Sequence, residues 1–255
     1  MNMKYLKASS ITAALLLFTT GTTTALAADG GEYKSNGVVE FVVNPEPTSP
    51  IDPTNPDPNN PVMPVDPTNP NGPNSGTAGP LSIDFASSLD FGKNKITNKD
   101  ETYFANAQGL EDGRSVPNYV QISDQRGSNA GWTLTVKQEG QLSNDATQNK
   151  ELTGAEIKLV SGQAVSNAEA IAEPTTSDIT LDPSGAVSNV MSAKTGAGAG
   201  TWVDRFGTVE TVDVNGESLQ KNKAVTLTVP GKTPKDAVKY KTELTWTLSD
   251  IPGNE

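Results

Sequence analysis

From Leu81 to Ser249 the apolar residues return at every second position in short runs, with no segment at helical spacing. Leu81, Ile83 and Phe85 alternate with Ser82 and Asp84; Ala155, Ile157 and Leu159 with Glu156 and Lys158; Val225, Leu227 and Val229 with Thr226 and Thr228. Tyr240, Thr242, Leu244, Trp246 and Leu248 share one face, opposite Lys241, Glu243, Thr245, Thr247 and Ser249. A period of two is the geometry of a half-buried strand. Roughly ten such runs, broken by Gly, Asn, Asp and Pro, predict an all-β fold, an antiparallel β-sandwich of Greek-key-like connection. An α/β fold would need helical crossovers that the pattern lacks. Residues 161–177 and 192–200 read as long loops.

The N-terminal third is different. Pro45 to Pro80 carries 12 of the 18 prolines, interleaved with Asp, Asn and Thr, and Asp-Pro-Thr-Asn-Pro occurs at 52–56 and again at 66–70. Proline at nearly every third place suits a polyproline II rod or a disordered spacer, with a reach of roughly 110 Å at about 3.1 Å per residue. The expected organisation is a signal peptide over 1–27, an N-terminal strand segment over 28–44, a Pro/Asp/Asn-rich linker over 45–80 and one domain over 81–255. The strand of the second segment is Val38 to Val43, after the turn signal Ser35-Asn36-Gly37. Roughly 175 residues suffice for a single well-formed core.

Lys4 and Lys7, the apolar stretch Ile11 to Phe18 and the small-x-small site Ala25-Leu26-Ala27 make the first 27 residues a secretory leader, with cleavage expected before Ala28. No later stretch approaches a membrane span, and the C-terminal residues Ile251 to Glu255 show no apolar helix with a basic tail. The expectation is an exported protein, not inserted in the membrane and held at the cell surface noncovalently. The formal charge is -11; loss of Lys4 and Lys7, with no acid in the leader, makes it -13. That balance disfavours nucleic acid and anionic lipid as partners and predicts repulsion from wall polyanions, weakening as carboxylates protonate or salt screens them.

Several chemistries are missing. With no His and no Cys, the commonest metal ligands, His-dependent triads and thiol nucleophiles are gone. The run Thr195-Gly196-Ala197-Gly198-Ala199-Gly200-Thr201 lacks the Lys-Ser or Lys-Thr of a phosphate-binding loop and reads as a flexible loop or tight turn. Asp124, Asp204, Glu243 and Asp250 lie near Trp-bearing runs, but nothing in the sequence sets two of them at catalytic separation. Asp213-Val214-Asn215-Gly216 is a turn without a full calcium loop. No catalytic, cofactor or metal residue is assigned, and an enzyme is not expected.

Two of the three tryptophans sit in matching runs, Gly131-Trp132-Thr133-Leu134-Thr135-Val136 and Leu244-Thr245-Trp246-Thr247-Leu248-Ser249. Trp and Leu two apart project from the same strand face. Two readings stand. In one, Trp132, Leu134 and Val136 meet Leu244, Trp246 and Leu248 in a single core, which indoles burying about 150–250 Å² each would dominate. In the other, adjacent strands leave the indoles partly open to stack on sugar rings.

These motifs also carry a resemblance. With Tyr33-Lys34-Ser35-Asn36-Gly37, the Asp-Pro-rich spacer, the stretch Gly79 to Gly92, Asp124-Gln125-Arg126-Gly127, Gly200 to Gly207 and Leu244 to Pro252, the chain resembles the WxL-domain surface proteins of Gram-positive bacteria, of the small type. The resemblance implies noncovalent attachment to peptidoglycan through the C-terminal domain, with Trp132, Leu134, Trp246 and Leu248 as wall-binding residues. It also implies larger WxL proteins and membrane-anchored WxL-interacting proteins as partners. A protein-binding module, with Val38 to Val43 adding a strand to a partner sheet, and an adhesin for host surface ligands are the alternatives.

Overall fold

The computed structural model describes residues 32–169 and 171–253, so the leader expected over 1–27 lies outside the described residues. In chain order the strands are β1 (Leu81–Ala86), β2 (Glu101–Asn106), β3 (Gln108–Gly109), β4 (Ser115–Val116), β5 (Tyr119–Asp124), β6 (Trp132–Gln138), β7 (Glu156–Leu159) and β8 (Gly162–Val165). They continue as β9 (Thr175–Thr176), β10 (Ile179–Thr180), β11 (Ser188–Ala193), β12 (Gly200–Phe206), β13 (Val209–Val214), β14 (Glu217–Val229) and β15 (Leu244–Ser249). Three principal sheets have the orders β1-β5-β12-β8, β10-β7-β14-β13 with β2 also on β14, and β15-β6-β11-β9; β3 and β4 form a small ribbon. All strand pairs are antiparallel. The all-β antiparallel architecture is the one the period-two pattern predicts.

The core draws on all three sheets: Ile122 and Trp202 from the first, Ile157 and Leu227 from the second, Leu134 and Met191 from the third. Full burial of each such side chain stabilises by about 1.5–3 kcal/mol. β6 shows the cleanest alternation, with Trp132, Leu134, Val136 and Gln138 buried and the residues between them half-buried. β5 is buried at all six positions. Its outer face is covered by the Pro-rich segment, which contributes Ile51 and Val62 to a second apolar cluster with Phe85, Leu110, Val116, Tyr119 and Val203.

Residues 45–80 therefore follow a course other than a free rod. The segment has no strand, only a bridge between Pro64 and Leu110, but it folds back in turns. At Asp52, Asp57 and Asp66 the carbonyl accepts from the N–H three residues on, at 3.2, 3.0 and 3.3 Å. The same aspartates accept at Oδ1 from the N–H two residues on. Each Asp-Pro-x-Asn unit is thus an Asx-capped β-turn with Pro at the position its fixed φ favours. Gln121 then ties the segment to β5: its Oε1 accepts from Ile51 N–H at 2.8 Å, and its Nε2 donates to Ser49 O at 3.0 Å. One carboxamide thereby mimics a rung of a β-ladder. The rod was expected because turn-forming Asp-Pro-x-Asn and polyproline spacing share the same three-residue rhythm.

Two further expectations change. Val38 to Val43 forms no strand; Val38 and Phe41 are 95% and 88% exposed. A lone strand has no ladder to satisfy its backbone. Residues 32–40 form a separate unit without regular structure, and the compact unit begins at Phe41. The stretch 161–177 is not one long loop, because β8 and β9 fall within it.

Candidate functional site

The two Trp-bearing runs are neighbouring strands. β15 pairs with β6 so that Trp246 faces Val136 and Leu248 faces Leu134. Paired residues share a face, so Trp132, Leu134, Trp246 and Leu248 all turn toward the same core. Trp132 and Leu134 are sealed in it; Trp246 and Leu248 are partly buried.

Trp132 is held by the glycine-rich run. Its Nε1 donates to Gly198 O at 2.9 Å, and Trp202 Nε1 donates to Ala199 O at 2.9 Å. Gly198 has φ +71°, and a Cβ there would lie 2.4 Å from Ala193 Cβ and 2.8 Å from Trp132 Nε1. The run is a cradle whose carbonyls satisfy two buried indoles, since a buried N–H without a partner is costly.

The third tryptophan heads a variant of the pattern. In Trp202-Val203-Asp204 the position two beyond the indole holds an acid. Asp204 and Arg205 are neighbours on strand β12, the first buried and the second half-buried. Arg205 reaches Gln163 Oε1, while Asp204 points inward, fully buried, with neither carboxyl oxygen hydrogen-bonded at ordinary distance among the described residues. Burial, opposed by the nearby Gln163 backbone N–H and reinforced by the charge of Asp178, pushes its pKa up to about 8. Of the other acids near Trp-bearing runs, Asp124 is paired with Arg126 at 2.8 Å. The carboxylates thus do structural work where their partners are visible.

Trp246 opens onto a groove of about 820 Å³. One wall is the Pro-rich segment with β1 and the chain after it; the other is the approach to β15, including Lys239, Tyr240 and Lys241. Leu142, Leu152, Ile157 and Leu227 form an apolar floor. Lys239 and Lys241 are exposed and form no ion pair among the described residues. Tyr240 is fixed by donating to Asn149 O at 2.7 Å and accepting from Asp236 N–H at 2.9 Å. The sequence signal for Tyr240 was its shared face with Trp246; the contribution of residues 65–77 had none, because their apolar members are scattered among prolines.

β15 is also an edge strand. Glu243 O accepts from Glu139 N–H, so the backbone groups of 243, 245, 247 and 249 face β6 and those of Leu244, Trp246 and Leu248 face away. β1 runs beside this edge without pairing to it. Thr77 caps the matching edge of β1, donating its N–H to Ile83 O and accepting at Oγ1 from Ile83 N–H.

The domain is thus all-β, with sealed and open versions of one Trp-x-Leu pattern on adjacent strands, beside a groove with an apolar floor and a lip where Lys239 and Lys241 stand among Asp236 and Glu243. The chain matches the family described as WxL domain surface cell wall-binding over residues 28–252, nearly its whole length, and it belongs to that family. The family implies association with the cell wall at the cell surface. No curated protein and no solved structure matches it.

Proposed function

We propose that this protein is a non-catalytic surface protein that attaches noncovalently to peptidoglycan through the groove beside β15. The carrying observation is that Trp246, alone of the four expected wall-binding residues, lines that groove. A partly buried indole with an apolar floor suits the C–H faces of sugar rings, and Lys239 and Lys241 suit the carboxylates of wall peptides. Trp132, Leu134 and Leu248 then act by holding β6 and β15 in register. The boundaries proposed are a leader over 1–27, cleaved on export, an N-terminal segment, the Pro-rich turns and the binding domain from Leu81.

A second reading rests on the free edge of β15, which offers a partner strand the backbone of Leu244, Trp246 and Leu248. Larger WxL proteins or membrane-anchored WxL-interacting proteins would be the partners, with wall retention indirect. A pull-down on peptidoglycan stripped of protein and teichoic acid separates the two. Binding by wild type that falls in folded Trp246→Ala supports direct attachment; no binding by folded wild type moves the assignment to a protein partner.

A further inference from the structure

On the sheet that carries no tryptophan, Lys221 of β14 stands opposite Asn106 of β2 in the antiparallel register, so both side chains leave the same face. Lys221 is 4% exposed, and among the described residues its Nζ makes one hydrogen bond, to Phe104 O at 3.2 Å. A buried ammonium is ordinarily held by a carboxylate. Here Asp90, whose charge acts on the amine, accepts at Oδ2 from Asn106 Nδ2 at 2.9 Å and at Oδ1 from Gly92 N–H at 2.9 Å. Asp90 O also accepts from Asn106 N–H at 2.7 Å.

Position 92 brings the groups together. A Cβ on Gly92 would lie 3.4 Å from Lys221 Nζ and 4.0 Å from each amide atom of Asn106, so amine and carboxamide border one small space beside Gly92. Phe91 and Ala105, both buried, lie next to Asp90 and Asn106 in the chain. Burial lowers the pKa of Lys221, which favours the neutral, nucleophilic amine.

We propose that Lys221 and Asn106 become joined by an intramolecular amide bond, formed by the folded chain itself with Asp90 as the catalytic residue. Lys221 swings from Phe104 O, and its neutral amine attacks Asn106 Cγ. The Nζ–Cγ bond forms, the Asp90 carboxylate takes a proton from Nζ and passes it to Nδ2, and the Cγ–Nδ2 bond breaks with release of ammonia. One amide replaces another, so no oxidant, metal or co-reactant is consumed. The ladder between β2 and β14 supplies the proximity that a reaction between two weak partners requires. In a chain without cysteine, this bond would close the loop from 106 to 221 as a disulfide would.

Intact mass spectrometry of the full mature chain is the test, followed by tryptic mapping. The expected result is a mass lower than that of the sequence by one ammonia, with a branched species joining residues 100–114 to 206–223. Lys221→Arg and Asp90→Asn should both restore the full mass. Wild type at full mass overturns the proposal. So does an ammonia loss that survives in Lys221→Arg, which would mark ring closure at an Asn-Gly pair such as Asn215-Gly216. The branched peptide is sought in wild type, so a variant that fails to fold does not remove the decision.

Discussion

Trp132 and Trp246 hold the same place in the same three-residue pattern, on neighbouring strands and on one face, and they meet different surroundings. β6 lies between β11 and β15 and its indole is sealed; β15 has β6 on one side only and its indole borders a groove. The pattern decides which face a side chain takes, and the place of the strand in its sheet decides how far that face is closed. A motif repeated in sequence therefore need not be repeated in role. Trp202-Val203-Asp204 extends the lesson, placing on a central strand a carboxyl where the other two runs place leucine.

The sharpest way to break this comparison is truncation. Trp132→Ala should cost about 3–5 kcal/mol in chemical denaturation, because it removes a sealed indole and leaves its cavity. An equal cost for Trp246→Ala would erase the distinction between centre and edge. Asp204→Asn tests the third run through pH. The folded chain keeps a proton that the unfolded chain releases above the ordinary value of 3.8, so stability is full below that value and falls as pH rises to about 8. The loss over that window should be at most about 6 kcal/mol, and Asp204→Asn should flatten the denaturation-versus-pH profile. A profile unchanged by the substitution would contradict the burial of this carboxyl.

Gly198→Ala should destabilise by about 2 kcal/mol, since it strains a positive φ and presses on Trp132. The tryptophan fluorescence of the native state should shift with it. Trp246→Ala is expected to have the smallest effect on stability, about 1–2 kcal/mol. In the stripped-wall pull-down it should still lower affinity about tenfold, or about 1.4 kcal/mol. Stability and binding should thus rank the two tryptophans in opposite order.

Much of the fold was legible because half-buried strands advertise themselves: Trp132 to Val136 and Tyr240 to Leu248 each alternate cleanly. β5 is harder to read, since Tyr119 to Asp124 is buried on both faces and Gln121 and Ser123 look solvent-facing until the Pro-rich segment is in place. Ile51 and Val62 give no periodicity at all, being single apolar residues between turns. At the site, the shared face of Trp and Leu within each motif follows from their alternation, whereas the pairing of the two strands is seen only in the fold. So is the groove, because one of its walls belongs to a segment whose sequence reads as a spacer. The role of Gly198 is hidden for a similar reason: a glycine run looks mobile until the indoles that it serves are seen beside it.

The grip of Gln121 on Ser49 and Ile51 has a mechanical consequence. Tension on the chain before Ser49 meets the Gly79 N–H bond to Pro45 O and the Gln125 Nε2 bond to Thr48 Oγ1, and then the Gln121 carboxamide, whose two hydrogen bonds take the load together. That side chain stands on β5, which is flanked by β1 and β12, and its Nε2 is also anchored to Asp84 Oδ2 at 2.9 Å. Drag on whatever lies outward is thereby led into the interior of a sheet and kept away from the unpaired edge of β15, where peeling would begin.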